Sequence, residues 1–83
     1  MILYFERKAD KDGARRLEVT VEEFDVQAGK RYLTTTFLKG ARWNDGKIEA
    51  VRENRETCLR DAIYTFDHYH KQIWPEDHET PCD

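Results

Sequence analysis

NRETCLRDAIYTFDHYHKQIW, residues 54–74, is the stretch on which the fold turns, because no other segment of the chain is as long and as periodic. At about 3.6 residues per turn, Leu59, Ala62, Ile63, Phe66, His70 and Ile73 share one stripe, the spacing of a helix that buries one face. Arg60, Asp61, Tyr64, His68 and Lys71 fall on the opposite, solvated side. Asn54 suits an N-cap, since its side-chain oxygen can accept a first-turn N–H, and Glu56 suits the positive end of the helix dipole. Pro75 disfavours helical geometry at Trp74, which sets the stop.

The residues before the helix read as sheet. Ile2 to Lys8 is a short apolar run followed by charge, a strand over about 1–8, and Asp12-Gly13 is a turn pair because glycine adopts positive φ freely. From Arg16, Leu17, Val19 and Val21 alternate with Glu18, Thr20 and Glu22, which predicts a strand over about 16–26. Phe24 and Val26 continue the apolar series one residue out of phase, and a bulge near Glu22-Glu23 is expected to restore the register. Residues 31–39 (RYLTTTFLK) form a third strand after the turn Gln27-Ala28-Gly29-Lys30. The threonine run Thr34–Thr36 suits a half-exposed surface or an edge that invites another strand. A second Asp-Gly turn at Asp45-Gly46 leads to residues 47–51 as a fourth strand, with an early helix start as the competing reading. The expected fold is α+β: an antiparallel sheet of three or four strands packed against one C-terminal helix, in a single domain over residues 1–74.

Composition narrows the function. With 83 residues and 37% charged side chains, the chain builds a modest core and leaves little room for a deep pocket. The net charge of -3 is uneven: residues 75–83 carry four acids (Glu76, Asp77, Glu79, Asp83) and no Lys or Arg. Taking those four from seventeen leaves thirteen acids against fourteen bases in residues 1–74, so the body is balanced and the tail is acidic and expected to be flexible. Neither a strongly basic nucleic-acid footprint nor a densely acidic nucleic-acid mimic is indicated. No apolar run approaches membrane-spanning length, and MILYFERK lacks the basic start and small-residue cleavage site of a signal peptide, so a cytoplasmic protein is expected. Cys58 and Cys82 lack a CxxC spacing and are expected as free thiols, Cys58 as a small buried hydrophobe.

Catalytic signatures are missing: no P-loop, GxGxxG, HExxH or GxSxG occurs, so neither enzymatic activity nor a cofactor is expected. Asp67, His68, His70, His78 and Cys82 are potential zinc ligands, but His68 and His70 point to opposite sides of a helix, and a site from His70, His78 and Cys82 needs the tail to fold back. His70, on the apolar stripe, reads instead as a core histidine bonded to a tyrosine or a carbonyl.

The helix opening NRETCLRDA, after strands and a short turn, resembles the partial RNase H-like fold of HicB-type antitoxins over about the last third of the chain. The glycine-threonine lead-in of that family is absent, and no residue role is carried across. In size and polarity the chain is also similar to small phage-encoded inhibitors of bacterial defence systems, anti-CRISPR proteins among them, a resemblance of profile rather than motif. Together these point to a non-enzymatic module that binds another protein and occludes its surface. Its expected contacts are Trp43 and Asn44 at a hairpin tip and Arg60, Asp61, Tyr64 and His68 on the outer helix face. The alternative is a small nucleic-acid-binding regulator, with Arg15, Arg16, Lys30, Arg31 and Arg42 on phosphates, Tyr32 stacking a base, and two copies pairing through Thr34–Thr36.

Overall fold

The computed structural model describes residues 1–78. Four strands, β1 (Ile2–Ala9), β2 (Arg16–Val26), β3 (Gly29–Gly40) and β4 (Trp43–Arg52), form one antiparallel sheet in the order β1-β2-β3-β4. The helix α1 (Arg55–Ile73) follows and lies over β2 and β3, and a 3₁₀ turn, Pro75–His78, ends the described chain. Each strand pairs with the next through a short turn, as the alternating segments predict. Asn54 caps α1 by accepting from the Thr57 N–H at 2.9 Å. The helix is not long and apolar enough to cross a membrane.

The core forms where the inward face of β2 meets the helix. Leu17, Val19 and Val21 of β2 and Tyr32, Thr36 and Leu38 of β3 are buried beneath Cys58, Ala62, Ile73 and Trp74. Of the predicted stripe, Ala62 and Ile73 are buried and Leu59, Phe66 and His70 partly so, but Ile63 is 55% exposed, which turns the buried line toward Cys58, itself fully buried as expected. Small side chains at the centre let the helix backbone approach the sheet, and the bulkier Leu59, Phe66 and Tyr69 close its flanks. Cys58 is a free, buried thiol 3.1 Å from the Thr34 hydroxyl.

Three details of the sheet differ from expectation. First, β2 carries no bulge opposite β3: the register runs unbroken from Arg16↔Lys39 to Val26↔Gly29. The extra residue is Leu3 on β1, between the pairs Ile2↔Glu22 and Tyr4↔Val21, and it packs on the core. Phe24 and Val26 therefore stay on the face away from the helix. Second, the hairpin between β3 and β4 turns at Gly40–Trp43 rather than at Asp45-Gly46, and β4 is longer than residues 47–51. Gly40 takes φ 112°, and a Cβ there would lie 2.7 Å from Arg15 Cγ, so the turn closes where only glycine fits. Asp45, at φ 56°, is absorbed inside β4, where Leu38↔Gly46 and Gly40↔Trp43 leave one extra residue on that strand. Third, β3 is central, with β2 on one side and β4 on the other, and Thr36 is buried. Pairing of two copies through Thr34–Thr36 is excluded, because both hydrogen-bonding edges of β3 are occupied.

Residues 75–78, expected to begin a flexible acidic tail, form a turn held to the sheet: Glu76 pairs with Arg15 at 2.5 Å and Asp77 with Lys8. The remaining tail residues, Cys82 among them, lie outside the described residues.

Candidate interaction surfaces

The outer face of α1 presents Arg60, Asp61, Tyr64 and His68 to solvent, as its periodicity predicts. Tyr64 and His68, one turn apart, stack with centroids 6.0 Å apart and planes 15° from parallel. Beside them, between α1 and β4, lies a groove of about 180 Å³ lined by Thr34, Thr36, Ile48, Ala50, Tyr64 and Tyr69. That volume is below the roughly 300 Å³ at which small-molecule pockets begin.

Trp43 and Asn44 are not a hairpin tip. Both belong to β4, and Trp43 is half-buried, edge-on to Tyr69 at 5.2 Å and 87°, with the Arg42 guanidinium 4.9 Å over its ring. Trp43 thus fixes the helix to the sheet end, and Asn44 alone of the two is exposed. The six residues expected to hold nucleic acid do not form one surface. Tyr32 is buried in the core and cannot stack a base. Arg15 is bound to Asp10 at 2.6 Å and to Glu76, Lys30 to Asp25 at 2.9 Å, and Arg42 reaches Gln72. Only Arg16 and Arg31 lie on the face opposite the helix.

The open sheet face forms a further surface, one that the helix periodicity and hairpin turns do not signal. The register places Ile2, Phe5, Leu33, Phe37, Phe24 and Val51 on it: Leu33 faces Val51, Phe5 faces Thr20, and Phe24 stands beside Arg31. Phe5 is 57% and Val51 54% exposed. Beyond the last pairs of β1 and β4, residues 24–31 continue as a two-stranded arm carrying exposed Phe24 and Val26. The signal was present as the phase slip between Val21 and Phe24, which marks apolar residues on both faces of one strand. Arg7, Arg16, Arg31, Lys39 and Lys47 share the open face with Glu18, Glu22 and Glu49, so cations outnumber acids there. Glu18 pairs with Arg7 at 2.8 Å, and Arg16 and Lys47 lean over the Phe37 ring.

At the other end of the helix, His70 is partly buried between Phe66 and Trp74, with Lys8 Nζ 3.1 Å from its Nε2 and His78 against its Nδ1. Its expected partner, a tyrosine or a carbonyl, is replaced by these groups because the 3₁₀ turn folds back. Among the described residues, no group of three His, Cys, Asp or Glu side chains is placed to hold a metal ion. Burial, then Lys8 and His78, push the His70 pKa below the ordinary histidine value, against the weaker pull of Asp77 and Asp67. The folded state therefore disfavours the imidazolium, and in the unfolded chain His70 binds its proton at higher pH. Stability from this site is fully present above the ordinary histidine pKa, about 6.5, and declines as pH falls below it until the folded protein also protonates. Urea midpoints measured across this interval are expected to fall with acidification, and His70→Gln is expected to flatten that fall. Below it, Asp10, Glu76 and Asp77, whose pKa values are lowered by Arg15, by the Glu76 backbone N–H and by Lys8 respectively, extend the loss.

No protein-family model, curated protein or solved structure matches this chain.

Proposed function

We propose that this chain is a non-enzymatic protein-binding module that works by covering a surface of its partner, the mode of action of small inhibitors encoded by phages and other mobile elements. The observation that carries this reading is the open sheet face. A four-stranded sheet with one covered side ordinarily turns polar residues outward, whereas here the uncovered side holds Ile2, Phe5, Phe24, Leu33, Phe37 and Val51. Aromatic anchors set in a charged rim are the usual make-up of an interface. The excess of Arg and Lys on that rim selects a partner whose matching surface is apolar at its centre and acidic around it. Nucleic acid fits less well, because the chain carries a net charge of -3 and many of its cations are already paired with acids.

The test is capture from a lysate of cells in which the chain is made, with the parent beside Phe5→Glu/Phe24→Glu and Arg60→Ala/Tyr64→Ala. The expected result is a stoichiometric protein partner retained by the parent and by the helix-face variant. The sheet-face variant, still folded by circular dichroism, is expected to lose it. Equal capture by all three chains, or salt-dependent retention of random DNA or RNA with no protein bound, rejects the reading.

A further inference from the structure

We infer that two copies of this chain associate through β4, edge to edge and antiparallel, about a two-fold axis that passes Ile48 perpendicular to the sheet. Among the described residues, β4 has β3 on one side and no strand on the other, which leaves one row of its backbone N–H and C=O groups without a ladder partner. Such an edge pairs with a copy of itself only if the residues brought opposite each other are compatible. A two-fold axis normal to the sheet keeps both helices on the same side and allows only registers centred on a residue. Centring on Lys47 sets Lys47 against Lys47, and centring on Glu49 sets Glu49 against Glu49. Centring on Ile48 sets Lys47 of each copy against Glu49 of the other, twice, and places the two Ile48 side chains together.

Within one copy, Lys47 Nζ already lies 3.1 Å from Glu49 Oε1, and both side chains are half-exposed on the open face. The two copies therefore assemble an alternating square of two ammonium and two carboxylate groups. Ile48, which is 43% exposed at the rim of the helix groove, loses that exposure against its twin. The paired run starts after the irregular Asp45, so Gly46–Ala50 supplies straight backbone on both sides of the axis. The helices, seated over β2 and β3, stand four strand spacings apart, about 19 Å, and do not collide. On the opposite edge, a two-fold at Arg7 of β1 sets Glu6 against Lys8 but also opposes two guanidinium groups at its centre, and Lys8 is already held by Asp77.

Sedimentation equilibrium and light scattering across micromolar concentrations test the pairing without any partner. The parent is expected to dimerise. Lys47→Glu and Glu49→Lys, each of which turns both cross-axis pairs repulsive, are expected to raise the dimer dissociation constant roughly tenfold or more. The double variant K47E/E49K recreates the square with its signs exchanged and is expected to recover parental affinity; because it also restores the pair within each copy, the dissociation constants are compared at equal melting temperature. Melting curves on each variant confirm folding. A parent that stays monomeric, single variants that dimerise like the parent, or a double variant no better than the singles overturns the inference.

Discussion

Trp74→Ala is expected to leave the protein unfolded, or barely folded, at room temperature. Trp74 is only 2% exposed and closes the end of the core, under His70 at 5.5 Å and beneath the Lys8 and Arg15 cations at 4.9 and 5.4 Å. Its indole N–H donates to Asp10 Oδ1 at 2.9 Å, which ties the helix end to the turn between β1 and β2. Removing a buried tryptophan costs about 3–5 kcal/mol, and a single core of this size supplies about 3–5 kcal/mol in all. The loss and the reserve are equal in scale. Trp74→Phe keeps most of the apolar volume and forfeits the hydrogen bond, so it is expected to remain folded with a urea midpoint between those of the parent and the alanine variant. Trp43, lodged against Tyr69, remains as the fluorescent reporter of helix docking in both variants. A Trp74→Ala unfolding free energy within about 1 kcal/mol of the parent rules out Trp74 as the closing residue of the core.

Ala62→Leu is expected to cost about 1–3 kcal/mol, while Ile63→Ala next to it costs about 0.5 kcal/mol or less. The contrast runs against the usual ranking, in which trimming isoleucine is the worse change. Ala62 is fully buried between the helix backbone and the sheet, so an isobutyl group there must push α1 outward, whereas Ile63 is more than half exposed beside β1. Urea melts of the two single variants decide the matter. If Ile63→Ala proves the more damaging, the helix sits on the sheet by the face its hydrophobic periodicity suggested.

That pair of residues also marks how far the sequence could be read. The span of α1, its Asn54 cap and its stop before Pro75 were legible, because capping and proline sterics act within a few residues. The rotation of the helix was not. Periodicity weights residues by hydrophobicity, and so drew the stripe toward Ile63, but a helix crossing a sheet puts its smallest side chains at the point of closest approach. The four-strand order followed from alternation and turns, yet the register irregularities did not: a bulge at Leu3 depends on where β1 meets Val21, a long-range fact. Asp45-Gly46 has the chemistry of a turn and is used instead as an irregularity within β4, because the hairpin had already closed at Gly40. Among the candidate surfaces, the exposure of the outer helix face was legible and the apolar character of the open sheet face was not. The out-of-phase positions of Phe24 and Val26 reflect the opposite face of the sheet rather than a bulge: they point away from the helix.

The strands of this protein are joined by hairpins alone, and the residue that seals its interior comes after every one of them in chain order. A ribosome therefore delivers the whole meander first, with Leu17, Val19 and Val21 bare along one side until Ile73 and Trp74 arrive. During that interval the nascent sheet is oily on both sides, since Phe5 and Val51 already line the other. Transiently exposed apolar surface of this kind is what makes a folding intermediate prone to aggregation.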